Sequence, residues 1–233
     1  MKKTRFLIIY PLILIGLIII FATGCKEDSN TQPPLTVTDI DGNVYQTVTI
    51  GTQIWMAENL RTTKYRYGDL IGTSEPIDLD LTGLSTQKYQ WSYGGIESNA
   101  TTYGLLYTWY AITDSRNICP SGWHVPADAE WTKLADYIGG VLLAAGKLKE
   151  AGFEHWNNPN TEATNDVNFT ALPGGFRNLN GSSNNINVSG CWWSLTEYDA
   201  TNALYRSMSN TSKTFYSDGT NKNIGFSVRC VKD

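Results

Sequence analysis

Residues 119–131 read Cys-Pro-Ser-Gly-Trp-His-Val-Pro-Ala-Asp-Ala-Glu-Trp, and they lead into the clearest helical pattern of the chain. Apolar side chains then recur at helical spacing before a glycine pair, at Trp131, Leu134, Ala135, Ile138 and Gly139-Gly140. This period predicts an amphipathic helix that ends at the glycines. A second, shorter helix is expected over residues 142–150, so the sequence predicts a helix pair near the middle of the chain.

Toward the amino end the sequence is typical of antiparallel strands. An Asp-Gly-Asn turn at residues 41–43 separates a strand that begins at Val37 from a longer run over 44–50, and Asp-Gly between such runs is a good hairpin signal. In the longer run, one face is expected to carry Val44, Val48 and Ile50, and the other Tyr45, Thr47 and Thr49. A second turn at Gly51-Thr52 leads into a third strand.

The region 66–102 has little periodicity and is unusually long for a loop in a compact domain. Within it Tyr89, Trp91 and Tyr93 alternate with polar residues, which places three rings on one face of any strand formed there. Such rings suit sugar stacking and protein contacts, so they are candidate ligand-binding residues. The alternative is a strand face packed on the core.

Short strand-like segments return after Phe169. The order of strands, long loop, helix pair and strands predicts an α+β fold rather than alternating βαβ units. Residues 178–223 are rich in Asn and Ser, and loops of that composition on a rigid scaffold make adaptable contacts. We therefore add three candidate ligand-binding residues from this stretch: Asn210, Tyr216 and Asn221.

Composition excludes several classes of protein. Of the 233 residues, 41% are hydrophobic, 12% aromatic and 17% charged, which is typical of a globular domain and not of a disordered chain. The net charge of −4 argues against a nucleic-acid partner. Four separated Cys and two His form no zinc or iron–sulfur motif.

The amino terminus has the pattern of a bacterial secretory signal. A basic start at residues 2–5 precedes an apolar run over 6–21, and small residues stand immediately before Cys25. This resembles the lipobox of bacterial lipoproteins and implies that Cys25 becomes the lipidated first residue, which would attach the protein to a membrane. An uncleaved N-terminal anchor is the alternative, although the run is short for a bilayer span.

These features divide the chain into a signal peptide over 1–24, a polar linker over 25–36 and one domain over 37–233. Lys26-Glu27-Asp28 resembles the signal that directs lipoproteins to the outer face of the outer membrane in Bacteroidetes-type bacteria. We therefore expect a cell-envelope, outer-membrane lipoprotein that is exposed at the surface. A solvated spacer would have the same composition.

Ordered motifs along the domain resemble the Fibrobacter succinogenes major paralogous domain, a module of exported bacterial proteins. The matching stretches are IGTQIWMAENL from Ile50, YGLLYTWYAI from Tyr103, CPSGWHVPADAEW from Cys119, GKLKEAG from Gly146, FTALPGGFRN from Phe169, WWSLTE from Trp192 and GFSVRCVKD from Gly225. The resemblance covers residues 38–233. Trp123, Trp131, Trp192 and Trp193 fall inside these motifs, and we expect them in the core.

A more distant resemblance links HVPADAEW, GGFR and GFSVRC to formylglycine-generating enzymes, whose fold is C-type-lectin-like. It implies a twisted antiparallel sheet, two helices and long loops. It also implies a disulfide between Cys119 and Cys230, which would leave Cys191 as a buried thiol; oxidation suits an exported chain. Arg177 and Arg229 are expected to bind backbone carbonyls or a carboxylate internally.

No catalytic or metal-ligating residue is assigned. The formylglycine-generating enzymes use two closely spaced Cys, whereas Cys191 and Cys230 are far apart, and nothing places a nucleophile beside His124 or His155. We expect no cofactor. A weakly bound structural Ca²⁺ stays open, because the Asn-rich segments 157–160 and 165–166 offer hard oxygen ligands.

The sequence thus predicts a lipoprotein with a non-catalytic, lectin-like module that binds a glycan or another macromolecule at the cell surface. Two alternatives stay open: an enzyme related to formylglycine generation, and a structural component of a surface layer. A pocket lined by a second Cys or by a His–carboxylate pair would favour the enzyme.

Substitution of Cys25 by Ser tests the lipid anchor. Because only the Cys thiol accepts the lipid, Cys25→Ser is expected to lose all labelled fatty acid and to leave the membrane fraction or stay unprocessed. Metabolic labelling followed by fractionation measures both effects. Label retained by the variant would contradict the assignment, as would a free amino group on Cys25 of the mature wild-type protein.

Overall fold

A computed structural model describes Met1 and residues 35–233 of the chain. The predicted signal peptide, Cys25 and Lys26-Glu27-Asp28 lie outside the described residues. Within the described part, the helices are too short or too polar to cross a bilayer.

Short strands and short helices make up the described domain. The strands are β1 (Thr36–Thr38), β2 (Val44–Ile50), β3 (Gln53–Met56), β4 (Gln90–Trp91), β5 (Leu106–Tyr107), β6 (Trp123–His124), β7 (Gly174–Arg177), β8 (Ser183–Ile186), β9 (Ser189–Glu197), β10 (Asn202–Ser209), β11 (Tyr216–Asn221) and β12 (Val231–Lys232). The helices are α1 (Glu97–Tyr103), α2 (Trp109–Ile112), α3 (Asp128–Tyr137) and α4 (Val141–Leu148), and a 3-10 turn covers Tyr93–Gly95.

Two five-stranded sheets carry most of the strands. One has the order β1-β2-β3-β12-β6 and is antiparallel throughout; the other has the order β11-β10-β9-β7-β8, in which only the β7–β9 pair is parallel. A separate antiparallel pair joins β4 to β5. The predicted α+β class is correct, but the expected single sheet with two helices is replaced by two sheets, a strand pair and four helices in the described part.

The predicted amino-terminal hairpin is confirmed. We expected Tyr45 and Ile50 on opposite faces of β2, and the two side chains do enter different parts of the core. Tyr45 and Ile50 are both buried, in two different apolar clusters, so β2 contributes a different face to the core at each end. Tyr45 is held inside because its hydroxyl donates to the carboxylate of Asp39 at 2.6 Å and accepts from the amide of Arg61 at 3.0 Å.

The helix pair forms as α3 and α4, close to the predicted bounds. Helix α1 lies across the end of the region that we expected to be irregular throughout. Its sequence, Glu-Ser-Asn-Ala-Thr-Thr-Tyr, has no apolar period, and its N-cap residue, Ile96, has no side-chain oxygen. Packing of Tyr103 into the core therefore holds a helix that local sequence signals do not specify.

The predicted core is confirmed. Trp123, Trp131, Trp192 and Trp193 are all buried, and the rings of Trp55 and Trp131 approach to 4.6 Å between centroids. Cys119 and Cys230 form the predicted disulfide. Closing 111 residues of chain, it stabilises the fold by about 4–5 kcal/mol in the chain-entropy description. Cys191 is the predicted buried thiol, and burial raises its pKa to about 12.

Buried cations hold the irregular segments in place. Five cationic side chains are buried and each lies over an aromatic ring, in the pairs Lys149–Trp156, Arg177–Trp91, Arg206–Phe215, Lys222–Trp109 and Arg229–Phe169. Every one also donates to at least one backbone carbonyl. Two have a carboxylate partner, from Asp128 and Glu197. The carbonyl groups of the loops replace the water that these cations lose on burial.

Arg229 is the most deeply placed of these cations. Its guanidinium donates to the carbonyls of Phe169 and Thr170, and its Nε and one terminal nitrogen donate to Oδ1 of Asn59 at 3.3 and 3.2 Å. The same oxygen accepts from the indole of Trp192 at 2.8 Å. Desolvation lowers the pKa of Arg229 to about 9, so the side chain depends on these acceptors to remain charged.

Removal of the Asn59 amide is expected to destabilise the domain by about 3 kcal/mol, because a buried cation and an indole N–H lose a shared acceptor. Denaturant unfolding of Asn59→Ala against wild type measures this loss. Asn180→Ala is the matched control, because this exposed side chain bonds only to Ser182 nearby. We expect this variant to lose less than about 1 kcal/mol of unfolding free energy. Equal losses in the two variants would contradict a central role for Asn59.

Candidate functional site

A cleft of about 310 Å³ opens where the 3-10 turn meets the β7–β8 hairpin. We call it the Tyr93 cleft; its lining includes Asp78, Tyr93, Gly94, Arg177, Gly181 and Ser183. A shallower cleft of about 460 Å³ shares Ile77, Trp91 and Ser92 with it, so the two lie side by side. Their sizes are typical of small-ligand sites.

Two glycines allow the walls of the Tyr93 cleft to approach each other. Gly175 has φ of 63°, and a Cβ there would lie 2.7 Å from the ring of Tyr93. Gly181 has φ of 85°, and a Cβ there would lie only 1.9 Å from the carbonyl oxygen of Asp78. Both residues combine a left-handed conformation with a close backbone approach, for which glycine is the suitable residue. The chain segments that carry Tyr93 and Asp78 are therefore packed directly on the hairpin.

Arg177 fixes the floor of the cleft. Its terminal nitrogens donate to the carbonyls of Ile77 at 3.1 Å, Leu79 at 2.7 Å and Asn178 at 3.2 Å, as expected for an internal role. The guanidinium carbon lies 4.1 Å from the centroid of the Trp91 ring. Arg177 thus ties the long loop to strand β7, which is almost one hundred residues away in sequence.

Trp91 is not the exposed platform that we expected. The side chain is buried, its indole donates to Oγ of Ser74 at 2.8 Å, and Arg177 covers one face of its ring. Strand β4 includes only Gln90 and Trp91, so Tyr93 follows in the 3-10 turn rather than on the same strand face. The alternation predicted three rings on one face, but the strand ends before the third ring.

The two tyrosines of the motif have different positions. Tyr89 is half-buried and packs edge-on against Trp91, with 5.6 Å between centroids. Tyr93 is half-buried and lines the cleft, where its hydroxyl accepts from the amide of Ile186 at 3.5 Å. Tyr93 is therefore the aromatic residue of the motif best placed to meet a ligand.

The candidates from the Asn/Ser-rich stretch do not join this cleft. Asn210 is buried and its amide donates to the carbonyls of Asn157 and Asn158, which corrects our expectation of an exposed amide. Tyr216 is exposed and Asn221 half-buried, at opposite ends of edge strand β11. Only the hairpin turn near Ser183, within the same stretch, reaches the Tyr93 cleft.

The place of Asp78 at the cleft was not found from the sequence. Asp78 is exposed and lines the cleft. The Nε–H of Arg177, another lining residue, is buried and has no hydrogen-bond partner among the described residues. Desolvation lowers the pKa of Arg177, while Asp78 and Asp80 oppose that shift. No periodic pattern or motif marks Asp78, because it lies in an irregular loop.

A His and a carboxylate also line one separate cleft of about 380 Å³, through His124 and Asp114. Both groups are already engaged. Nδ1 of His124 lies 2.6 Å from Asp233 and Nε2 lies 2.9 Å from Glu130, whereas Asp114 bonds to Lys88 and Arg116. His124 and Asp114 therefore bond to different partners and not to each other, and the hydrogen bonds of His124 give it a structural role.

Some of the oxygens that we considered as Ca²⁺ ligands bond to protein donors, whereas Oδ1 of Asn160 is buried without a hydrogen-bond partner among the described residues. The carbonyls of Asn157 and Asn158 accept from Asn210, and Oδ1 of Asn165 accepts from the amide of Thr170. Next to them, the ammonium of Lys149 donates to three carbonyls, and desolvation lowers its pKa to about 8. Lys149 therefore satisfies the carbonyls of Thr161, Ser209 and Ser212 and not those of residues 157–160.

His155, Glu150 and Glu154 place their ligand atoms within 4.8 Å of one another. Nδ1 of His155 is hydrogen-bonded to Glu150 at 2.9 Å, and this hydrogen bond accounts for the proximity of these two residues. Glu154 is exposed.

Comparison with known proteins identifies one family. The model of the Fibrobacter succinogenes major domain matches residues 48–232, which is most of the chain and agrees with the resemblance found in the motifs. No curated protein and no solved structure gave a match to the chain.

The bonds of His124 predict a pH dependence. Partial burial lowers its pKa, but hydrogen bonds to Asp233 and Glu130 outweigh burial and raise the pKa above 6.5. The folded state therefore binds the proton more tightly than the unfolded state, so the stabilisation is complete below about pH 6.5 and is lost as pH rises through the folded pKa. We expect this stabilisation to be at most about 1 kcal/mol, because the His124 side chain is one-third exposed and its charge is partly screened by solvent.

Denaturant unfolding of wild type and His124→Gln over a pH series measures this effect. The difference in unfolding free energy should be largest in the acid range and shrink above neutrality. A difference that grows with pH would contradict the assignment of a protonated His124.

Proposed function

The chain belongs to the Fibrobacter succinogenes major domain family, and from that premise we propose that it is a cell-envelope lipoprotein whose lectin-like domain binds a glycan in the Tyr93 cleft without catalysis. The observation that carries the proposal is one cleft that is lined by the half-buried ring of Tyr93 and by the exposed Asp78, with the buried Arg177 holding its walls.

This set of groups matches the chemistry of sugars. A sugar hydroxyl both donates and accepts, so it can donate to the carboxylate of Asp78. The C–H face of a sugar ring can pack against Tyr93, which has a large apolar face and a polar edge. Arg177 is buried and holds the walls of the cleft through its bonds to loop carbonyls.

The charges around the cleft favour a neutral sugar. Asp78 and Asp80 both act to raise the pKa of Arg177, so two carboxylates oppose the effect of its burial and lend this region negative charge. An acidic sugar would bring a third negative charge to this place. We therefore propose a neutral glycan as ligand rather than a uronate or a sialylated chain.

The proposed location depends on the amino-terminal sequence. The basic start, apolar run and small residues before Cys25 support lipidation, and Lys26-Glu27-Asp28 supports export to the outer membrane and the cell surface. The Cys119–Cys230 disulfide agrees with an oxidising compartment outside the cytoplasm.

Three features support a lectin-like fold as the finer assignment. Curled, mostly antiparallel sheets accompany few helices, long irregular segments connect them, and the disulfide joins the start of the helical region to the last part of the chain. The enzyme alternative has less support, because Cys191 is buried and no second thiol lies near it in the described part. Turnover of a Cys-containing peptide by the protein would favour that alternative.

A glycan array probed with the full chain in detergent tests the proposal. A neutral glycan should bind, and Asp78→Asn and Tyr93→Ala should each weaken its affinity by about 10- to 100-fold, the loss expected for a hydrogen bond to a charged group or a stacked ring. Tyr216→Ala is the matched control, because this exposed ring lies outside the cleft, and it should bind as wild type.

Thermal unfolding of the three variants separates binding from stability, and we expect nearly unchanged midpoints. An equal loss of glycan affinity in Tyr216→Ala, or wild-type affinity in both cleft variants, would exclude the Tyr93 cleft as the binding site.

A further inference from the structure

The corner between α3 and α4 exposes an unusual group of apolar side chains. Tyr137 is 67% exposed, Val141 37%, Leu142 69% and Leu143 41%. On the inner side of α4, Ala144, Ala145 and Leu148 are fully buried, so the outward side of this helix would ordinarily be polar. Three consecutive exposed apolar residues favour aggregation in solution unless a partner or a membrane covers them. We call Tyr137 and residues 141–143 the apolar corner.

The apolar corner lies near the point where the described chain begins. The ring of Tyr137 packs on Gly51, since a Cβ there would lie 2.9 Å from its Cδ2. Gly51 is the turn that follows β2, and the hydroxyl of Thr47 in β2 donates to the carbonyl of Leu35. Four residues of strand separate Thr47 from Gly51, about 13 Å. The amino-terminal tether therefore enters the domain at the same end of the sheet as the apolar corner.

We propose that the apolar corner rests on the surface of the bilayer that holds the amino-terminal lipid. This inference rests on the lipid anchor at Cys25 proposed above. Between Cys25 and Leu35 the chain can extend at most about 35 Å, so the tether keeps the corner at high local concentration next to the membrane. Contacts that are too weak to hold an untethered protein on the membrane are then sufficient to keep the apolar corner on the bilayer.

The side chains around the corner fit a membrane surface. Leucines with a tyrosine beside them are typical of segments that enter the boundary between headgroups and acyl chains. Lys133 is exposed in the shallow cleft beside Tyr137 and can approach anionic headgroups, while Asp136 is exposed on the same helix and limits that attraction. The contact is therefore mainly apolar, and a second copy of the chain is the competing occupant.

Site-specific fluorescence tests the proposal on the full, lipidated chain. Leu142→Cys carries an environment-sensitive dye, and the protein is reconstituted into vesicles of phosphatidylethanolamine and phosphatidylglycerol. Cys191 is buried and Cys119 is bonded to Cys230, so the new thiol is the accessible one in the described domain. Tyr198→Cys is the matched control: Tyr198 is 66% exposed and lies at the β9–β10 turn, away from α4.

The dye at position 142 is expected to shift to shorter wavelength, gain several-fold in intensity and be quenched by spin-labelled lipids, whereas the dye at 198 should do none of these. Leu142→Ser with Leu143→Ser should increase the accessibility of a dye at Tyr137→Cys without changing the thermal midpoint.

Equal signals at 142 and 198 would overturn the proposal. So would a shielded dye at 142 that spin-labelled lipids do not quench, in a protein that sediments as a dimer in detergent, because the occupant would then be a second copy. A chain that stays in the supernatant would overturn the lipid anchor itself and this inference with it. A chain that enters vesicles and leaves position 142 in water would overturn only the inference.

Discussion

Buried cations that donate to backbone carbonyls are the interaction on which the rest of the structure depends. A domain with long irregular segments must satisfy many carbonyl groups that helices and sheets would otherwise pair. Lys149, Arg177 and Arg229 do this without any ion-pair partner in the described part of the chain, and each rests on an aromatic ring. The desolvated cations and the loop carbonyls satisfy each other, so neither is stable inside without its partner.

The same interaction between a buried cation and backbone carbonyls also shapes the candidate site. Arg177 donates to carbonyls of the long loop and of the β7–β8 hairpin, and so brings Asp78 and Tyr93 into one cleft. Its Nε–H has no partner among the described residues, because the loop carbonyls bond only to the terminal nitrogens. The same side chain thus holds the loop and the walls of the proposed site.

Local patterns in the sequence predicted the parts that local interactions determine. The amino-terminal hairpin and helix α3 follow from turn residues and periodicity, and the burial of four tryptophans follows from their size and their place in the family motifs. The Cys119–Cys230 disulfide came from the family resemblance. Burial of Trp91 and the position of Asp78 could not be predicted in this way, because Arg177 and Gly181 are their partners from a distant part of the chain.

Hydrogen exchange in Arg177→Met measures the central claim most directly, because it reports loop order independently of any ligand. The amide of Leu81, which donates to Leu179 at 2.7 Å, and that of Gly181, which donates to Asn178 at 3.1 Å, should exchange much faster in the variant. The amide of Trp193, in the core sheet, should keep its protection. Unchanged exchange at Leu81 and Gly181, or uniform acceleration that includes Trp193, would contradict the account.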